Sequence, residues 1–577
     1  MKCKYRQGSK ECNLPALKNS KDGYCILHER SDNKDIEEFR KAIEEKLSKG
    51  DFDFSGCYFP PDFSFEGVIF EGDVDFTLAE FKRADFSGAE FKGKAKFSLT
   101  KFYGVPGLYP AANFRGAKFH DEVRFGGAKF YGDCWFDNAK IEKIVFDNTD
   151  IQGRLEFFVN ELNSAEFKQT RASYIWIGKN TSTIPRESER LHVKYLHLEF
   201  VTVSDQALFE NLDVETAIFF GLTAGCCQFK NVRFKRIGLN VSSRLTSERF
   251  PGYFFMDDAE LGSDYNEDEI HIDIHSDSSL RFTNVKFYTK TKLLLRCKDE
   301  AHLRDVEFYR DVDFHVSEFH GETYIDAKFH GKIDLRGTKF LGKARISGNF
   351  ENVLLAGCDV EHVDLTYVRW RRDYKILDEI ELENAVKSGE IKEIESKWKD
   401  IETVYRKLKL SYKNHGDYDT AGKFHYREWE CKRKRVGKYS TKTVKGKLLN
   451  FIATNFSWIN LYRIVFGYGE KPFRVIFASL FVILLGALVY MFYGIVIIPE
   501  YRIIDYKVSI TSSTPIEEIL SDFLYCFYAS ALTFTSLGSG EFYPYSSVSK
   551  AFAVIEAFLG VFLISLFIVV FTRKMLR

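Results

Sequence analysis

The chain has 577 residues, with 82 Lys+Arg against 82 Asp+Glu, and a formal net charge of zero gives no global argument for binding nucleic acid. Its 45% hydrophobic and 28% charged content is ordinary for a globular core, and its length allows two or three domains. Phe is the exception: 56 copies against 11 Pro and 4 Met, crowded before residue 370, exclude a random core and point to a repeat.

The opening residues, "MKCKYRQGSKEC", have no apolar stretch behind their positive charges. No secretory signal is read, the front of the chain is expected in the cytoplasm, and the 11 cysteines are expected to stay mostly reduced. Within residues 1–30, Cys3, Cys12, Cys25 and His28 give Cys-x8-Cys-x12-Cys-x2-His, the four ligands of a closed tetrahedral zinc site. Such a site is structural and would cap or dock the short segment ahead of the Phe-rich repeat; the other reading is reduced, scattered cysteines. Residues 31–50 read as a helical connector.

From Phe65 the large apolar residues fall at Phe70, Phe76, Phe81, Phe86, Phe91, Phe97 and Phe102, spacings of five or six that fit neither a strand nor a helix. A small residue often precedes the Phe by two ("AEF", "ADF", "AKF"), and Gly often follows by two ("FSG", "FRG", "FYG"). This resembles the pentapeptide-repeat family, which implies a right-handed quadrilateral β-solenoid over 51–372 with the Phe and the small residue inside. The pattern loosens between about 172 and 280, resumes at Leu303, Phe308, Phe314 and Phe319, and ends at Phe350, Leu355, Val360, Leu365 and Trp370. One solenoid with insertions near 172–280, or two shorter ones, is expected. The polar stretch 262–279 reads as such an insertion; His271, Asp273 and His275 would share one strand face there, as a metal site or a solvated face. Solenoids of this family can mimic DNA, but residues 51–150 hold 17 acidic and 12 basic residues, too small a surplus for a phosphate ladder. A protein or small-ligand partner remains open for the solenoid.

Residues 373–435 change to helical periodicity, with Ile391, Ile394, Trp398, Ile401, Tyr405 and Leu408 on one stripe. Helix, Gly416-Asp417 turn and helix over 405–430 resemble one hairpin of a tetratricopeptide unit, either plain connecting helices that help oligomerise or a peptide-binding surface. Residues 436–472 form a basic and interfacial segment, with Trp458, Tyr462 and Arg463 in a helix expected to lie on the membrane surface.

Residues 473–577 contain two apolar runs, Val475 to Ile498 with no charge and Ala551 to Phe571 with only Glu556, each long enough to cross about 30 Å of hydrocarbon. Residues 432–447 carry eight basic residues and no acid, whereas 499–521 carry two basic and four acidic, so 432–447 and both termini are expected inside the inner or plasma membrane. Between the runs, a helix expected from Asp522 to Thr533 is too short to span and must re-enter, followed by the glycine-bearing "TSLGSGE". Span, short helix, glycine loop and span resemble potassium-channel pores. The resemblance implies a two-transmembrane pore domain, a homotetramer and a filter of Thr535, Ser536, Leu537, Gly538, Ser539, Gly540 and Glu541, whose carbonyls replace the water of K+ or Na+. Ser536 takes the place of the hydroxyl-bearing Thr, Leu537 of Val, Gly538 and Gly540 of the two glycines and Glu541 of the outer Asp, while Ser539 departs from the usual Tyr. Gly560 lies where related inner helices bend, or serves close packing; Glu556 is expected to make a hydrogen bond behind the filter or to touch the ion. The sequence therefore reads as a tetrameric cation channel, potassium-preferring or weakly selective, gated by its cytoplasmic solenoid. A membrane-anchored scaffold with a non-conducting pore is the alternative. No nucleophile–base constellation, nucleotide loop or open metal site points to an enzyme.

Overall fold

A computed structural model describes residues 1–8, 10–104, 108–179, 190–247, 250–263, 269–388, 394–435, 444–455, 457–498, 501–506, 515–538 and 540–575. It divides into two compact units, Met1–Arg372 and Asp373–Arg577.

In the first unit, the coil strands pair in parallel with their counterparts one coil later: Tyr58 with Glu80, Glu80 with Lys101, Lys101 with Lys129, and Lys129 with Asp150. The Phe residues stack as columns along the coil axis. One column runs Phe54, Phe76, Phe97, Phe125, Phe146 and Phe167 at ring separations of 5.2, 4.9, 5.0, 4.9 and 5.1 Å. Three more begin at Phe59–Phe81 (4.3 Å), Phe65–Phe86 (5.2 Å) and Phe70–Phe91 (4.8 Å), one column for each side of a four-sided coil. A five-residue period therefore means one large inward ring per side, and each stacked pair adds about 0.5–1.5 kcal/mol beyond its buried area.

The small residue two positions earlier is also inside; Ala79, Ala84, Ala89 and Ala95 are buried. At three such positions held by Thr, the hydroxyl donates to a carbonyl of the preceding coil: Thr100 to Phe76 (2.8 Å), Thr149 to Phe125 (2.8 Å) and Thr338 to Phe314 (2.9 Å). A buried hydroxyl left without such a partner would be costly. The trailing glycines have two origins. After alternate sides the second residue takes a left-handed φ, as at Gly88 (+64°), and Leu78 and Leu99 accept the same strained corner. Gly93, after an intervening side, has an ordinary φ, but a Cβ there would lie 2.6 Å from the Asp73 amide nitrogen.

Of the two expectations, one solenoid with insertions agrees with the register: Lys143 pairs with Ser164, 21 residues on, whereas Ser164 pairs with Tyr195, Cys226 with Tyr253 and Gly238 with His271, 31, 27 and 33 residues on, so these coils carry extra residues. Strands Arg171–Gly178, Leu191–Glu199, Thr202–Ser243, Tyr253–Leu261 and Ile270–Ser276 pair in parallel from coil to coil, so the described residues of this stretch belong to one continuous solenoid. The Phe signal fades because the strands lengthen from two residues, as at Lys129–Phe130, to eight or nine, as at Glu161–Lys168 and Asp150–Phe158. Their buried positions alternate with period two and are filled by Val, Ile, Leu and Ala. Part of the polar stretch, 264–268, lies outside the described residues, but its Ile270–Ser276 portion is a coil strand.

Helix α1 (Ile36–Ser48) closes the first coil: Asp35 caps it by accepting from the amides of Glu37 and Glu38, and Phe39 packs on Phe59 (5.8 Å) and Phe63 (5.1 Å).

The second unit opens with α2 (Leu377–Ser388), α3 (Ile394–Asn414) and α4 (Tyr418–Arg435), and α3 and α4 form the predicted hairpin. After helices Val444–Asn455 and Trp458–Phe466, a tight turn at Gly467–Gly469 leads into the first spanning helix, Pro472–Tyr493. A helix at Ile516–Thr535 precedes the glycine loop, and Ser547–Met575 contains the second span. The helix before the loop begins earlier than the predicted Asp522, because Glu517 and Glu518 sit in its first turn, where the helix dipole favours acids.

At 20 residues its length no longer argues for re-entry, but its contacts do. Asp522 on this helix accepts hydrogen bonds from Arg502 (2.7 Å) and Tyr506 (2.9 Å), just past the first span. Beyond the loop, Phe542–Pro544 pairs with Ile495–Ile497, which also pairs with Arg502–Ile504. The helix start and the loop exit thus meet one small sheet at the same end of the first span, so the chain dips in and returns.

Candidate ion pore and candidate metal centre

The re-entrant helix ends at Thr535, whose hydroxyl donates back to the Ala531 carbonyl (2.8 Å), and Ser536 caps it in the left-handed region at φ 56°. Leu537 is 75% exposed, and nothing lies within 4 Å of where a Cβ would stand on Gly538 or Gly540. The loop is therefore uncovered within one chain. Ser539 lies outside the described residues. Glu541 is exposed, and its carbonyl accepts from the Ile498 amide (2.8 Å), which fixes the loop exit to the sheet.

Behind the loop, Glu556 is fully buried and accepts hydrogen bonds from Tyr490 Oη (2.6 Å) and from Ser530 Oγ. A Cβ on Gly486 would overlap both the Glu556 carboxyl and the Ser530 hydroxyl, so this glycine makes room for the contact. Gly560 is a packing position: a Cβ there would overlap the Phe534 carbonyl oxygen at the end of the re-entrant helix. Tyr490 and Ser530 escaped the sequence reading, although Gly486 and Tyr490, four apart on one helix face, were a signal for a close polar contact. The outer faces of both spans carry unpartnered apolar side chains, among them Phe473, Phe477, Phe481, Phe558 and Val569.

Cys3, Cys12, Cys25 and His28 converge as their spacing predicted, with ligand atoms all within 4.8 Å of one another. Cys12 and Cys25 sulfurs are 3.8 Å apart, and His28 Nδ1 lies 3.1 Å from Cys25 Sγ and 3.7 Å from Cys3 Sγ. Four ligands at zinc-bond lengths would stand about 3.5–3.8 Å apart, so the donor set fits a tetrahedral ion. The other ring nitrogen of His28 lies 3.1 Å from the Ser55 carbonyl and Tyr5 stacks on the imidazole at 4.0 Å, orienting Nδ1 toward the thiols. Ser55 belongs to the first coil, so this centre is docked on the solenoid end. The alternating trio does not converge. His271 faces Glu269 (3.5 Å), His275 faces Asp277 (3.3 Å) and Asp273 accepts from Asn240 (3.2 Å), each with a neighbour of its own.

The linker helices carry charge networks that sequence reasoning missed, because their members lie up to 55 residues apart. Glu379 of α2, fully buried, accepts from Tyr405 Oη of α3 (2.6 Å), from Lys434 of α4 (2.7 Å) and from Arg427 of α4. Burial alone would raise the carboxyl of neighbouring Glu383, but hydrogen bonds from Lys434 and Lys375 hold it down at about 2. Glu428 behaves alike: burial opposes, yet His425, Lys409 and Arg406 bring it to about 2. On the other side of α4, Glu430 accepts from Tyr468 Oη (3.0 Å), in the turn before the first span, and Trp429 lies against Tyr462 (5.3 Å) and Tyr468 (5.8 Å).

Comparison with known proteins matches two separate parts of the chain. The pentapeptide-repeat family, in nine copies, matches residues 111–158, and the ion-channel family matches residues 477–577. No curated protein and no solved structure matches. Both families are non-enzymatic kinds. With the stacked coil, the two spans and the re-entrant loop, they identify the chain as a pentapeptide-repeat solenoid fused to a two-transmembrane, potassium-channel-like ion-channel domain.

Proposed function

We propose that this membrane protein is a homotetrameric cation channel in which Thr535 to Glu541 line the ion path, with weak or no preference for potassium over sodium. The observation that carries it is the uncovered loop: Leu537, Gly538 and Gly540 have no cover within one chain, while the helices on either side are anchored. Four copies around an axis would cover it and bring its carbonyls together. Non-helical backbone at membrane depth is tolerated where it lines such a water-filled path. Serine at 539, too small to brace the loop as an aromatic does, supports weak selectivity, and Glu541 at the mouth favours cations. The charge asymmetry supports cytoplasmic termini in an inner or plasma membrane, with lipid against the apolar outer faces.

The cytoplasmic part is the gating input in this reading. Helix α4 is bonded on one side to α2, which comes after the solenoid in sequence, and on the other to Tyr468, which precedes the first span. A displacement of α2 is thereby carried to the base of the pore. A protein or small ligand on the solenoid is the expected stimulus, and zinc on Cys3, Cys12, Cys25 and His28 would be structural.

Purified protein in liposomes tests the reading. Potassium and sodium fluxes are expected, with a bi-ionic reversal potential near zero. A strongly potassium-selective reversal overturns weak selectivity, and intact tetramers without flux favour the anchored scaffold.

A further inference from the structure

The contacts behind the loop do more than fill space. Three helices meet at one carboxyl: Tyr490 comes from the first span, Ser530 from the re-entrant helix and Glu556 from the second span. Ser530 Oγ also lies 2.8 Å from the Ile483 carbonyl, so the serine sits between both spans. An ionisable side chain inside a span is costly to keep. Two glycines strengthen the case. Gly486 clears room for the carboxyl, and Gly560, four residues past Glu556, admits the carbonyl of Phe534, four residues past Ser530. The re-entrant helix thus rests on the second span at two points one turn apart, which fixes both its rotation and its depth.

The lever from there to the loop is short. Phe534 stands two residues before Ser536, whose amide donates to the Thr533 carbonyl (3.1 Å), and the Leu537 amide donates to the Leu532 carbonyl (3.2 Å). A shift at Ser530 is therefore passed to the loop carbonyls with no flexible segment between.

We propose that Tyr490, Ser530 and Glu556 are positioning residues whose shared hydrogen bonds set the seat of the re-entrant helix and, through it, the relative permeability of the loop to potassium and sodium. The proposal rests on the channel function proposed for this loop. It assigns part of the ion discrimination to a buried polar tie among three helices rather than to the loop residues alone.

The test measures the potassium-to-sodium permeability ratio of purified full-length channels in planar bilayers for Tyr490→Phe, Ser530→Ala and Glu556→Gln. Val570→Ala, a buried position elsewhere on the second span, serves as control. Each tie variant is expected to change the ratio about two- to tenfold, the scale of one lost hydrogen bond. The Tyr490→Phe/Glu556→Gln pair is expected to change it less than the two single effects combined, and Val570→Ala to leave it unchanged. If Glu556→Gln fails to assemble, the two hydroxyl deletions carry the test. Tie variants that lower the amount of folded channel yet keep the ratio overturn the proposal, as does an equal shift in Val570→Ala. No current from the unmodified chain sinks the channel reading, whereas current with an unmoved ratio sinks the tie alone.

Discussion

The solenoid and the channel unit handle apolar surface in opposite ways. In the solenoid the phenylalanine columns are closed within one chain, with Phe54, Phe76, Phe86, Phe97 and Phe125 fully buried. In the channel unit, Phe473, Phe477, Phe481 and Phe558 lie open, and less than a third of each spanning window is buried. The two units therefore draw their stability from different sources. A repeat stacks on its own neighbours and is finished alone, whereas the spanning helices leave apolar faces of the kind that lipid covers.

A charge inside the columns should disturb that contrast most severely. Phe97→Asp places an unpaired carboxylate among rings and is expected to cost several kcal/mol, abolishing the solenoid's melting transition, while Lys96→Asp, one residue away and exposed, leaves it in place. Equal melting of the two variants would refute the register. On the channel side, Gly560→Val forces a side chain against the Phe534 carbonyl, an overpacking worth about 1–3 kcal/mol. Differential scanning of detergent-solubilised protein should show the channel transition lowered and the solenoid transition unmoved.

The N-terminal centre probes the solenoid side more finely. Cys25→Ser is expected to strip bound zinc and lower the solenoid melting temperature by a few degrees through the loosened end coil, with ion flux retained. Elemental analysis that finds equal zinc in both proteins would end the zinc assignment. The smallest effect is set by pH. Glu383 and Glu428 have folded pKa values near 2, below their unfolded values, so they bind fewer protons folded than unfolded. Their stabilisation of the linker is fully present above about pH 4.5 and drains away as pH falls towards 2. Helical signal in the linker should therefore fall over that window, and Lys434→Met should blunt the change.

Legibility in the sequence tracked the length of the interaction. The five-residue Phe period announced the coil because one ring per side is a local rule, and the Cys-x2-His pair announced the N-terminal cluster for the same reason. Between 172 and 280 the rule changed: long strands with Val, Ile and Leu at alternate positions fill the interior equally well but have no five-residue beat. The start of the re-entrant helix was hidden because Glu517 and Glu518, good first-turn residues, resemble loop residues in a stretch read for hydropathy. Glu556 stood out as an acid in a span. Its partners did not, since Tyr490 and Ser530 lie 66 and 26 residues away and gain meaning from the fold.

The small sheet beside the loop has a mechanical consequence. Ile495–Ile497 pairs with Phe542–Pro544, and the Ile498 amide holds the Glu541 carbonyl, so the last loop residue is welded to the strand that leaves the first span. If Glu541 stands at the mouth of the ion path, as proposed, widening that mouth by bending one residue would strain the whole ladder. In that reading, a binder gripping residues 501–504 would pull on the ladder and throttle the current without standing in the path.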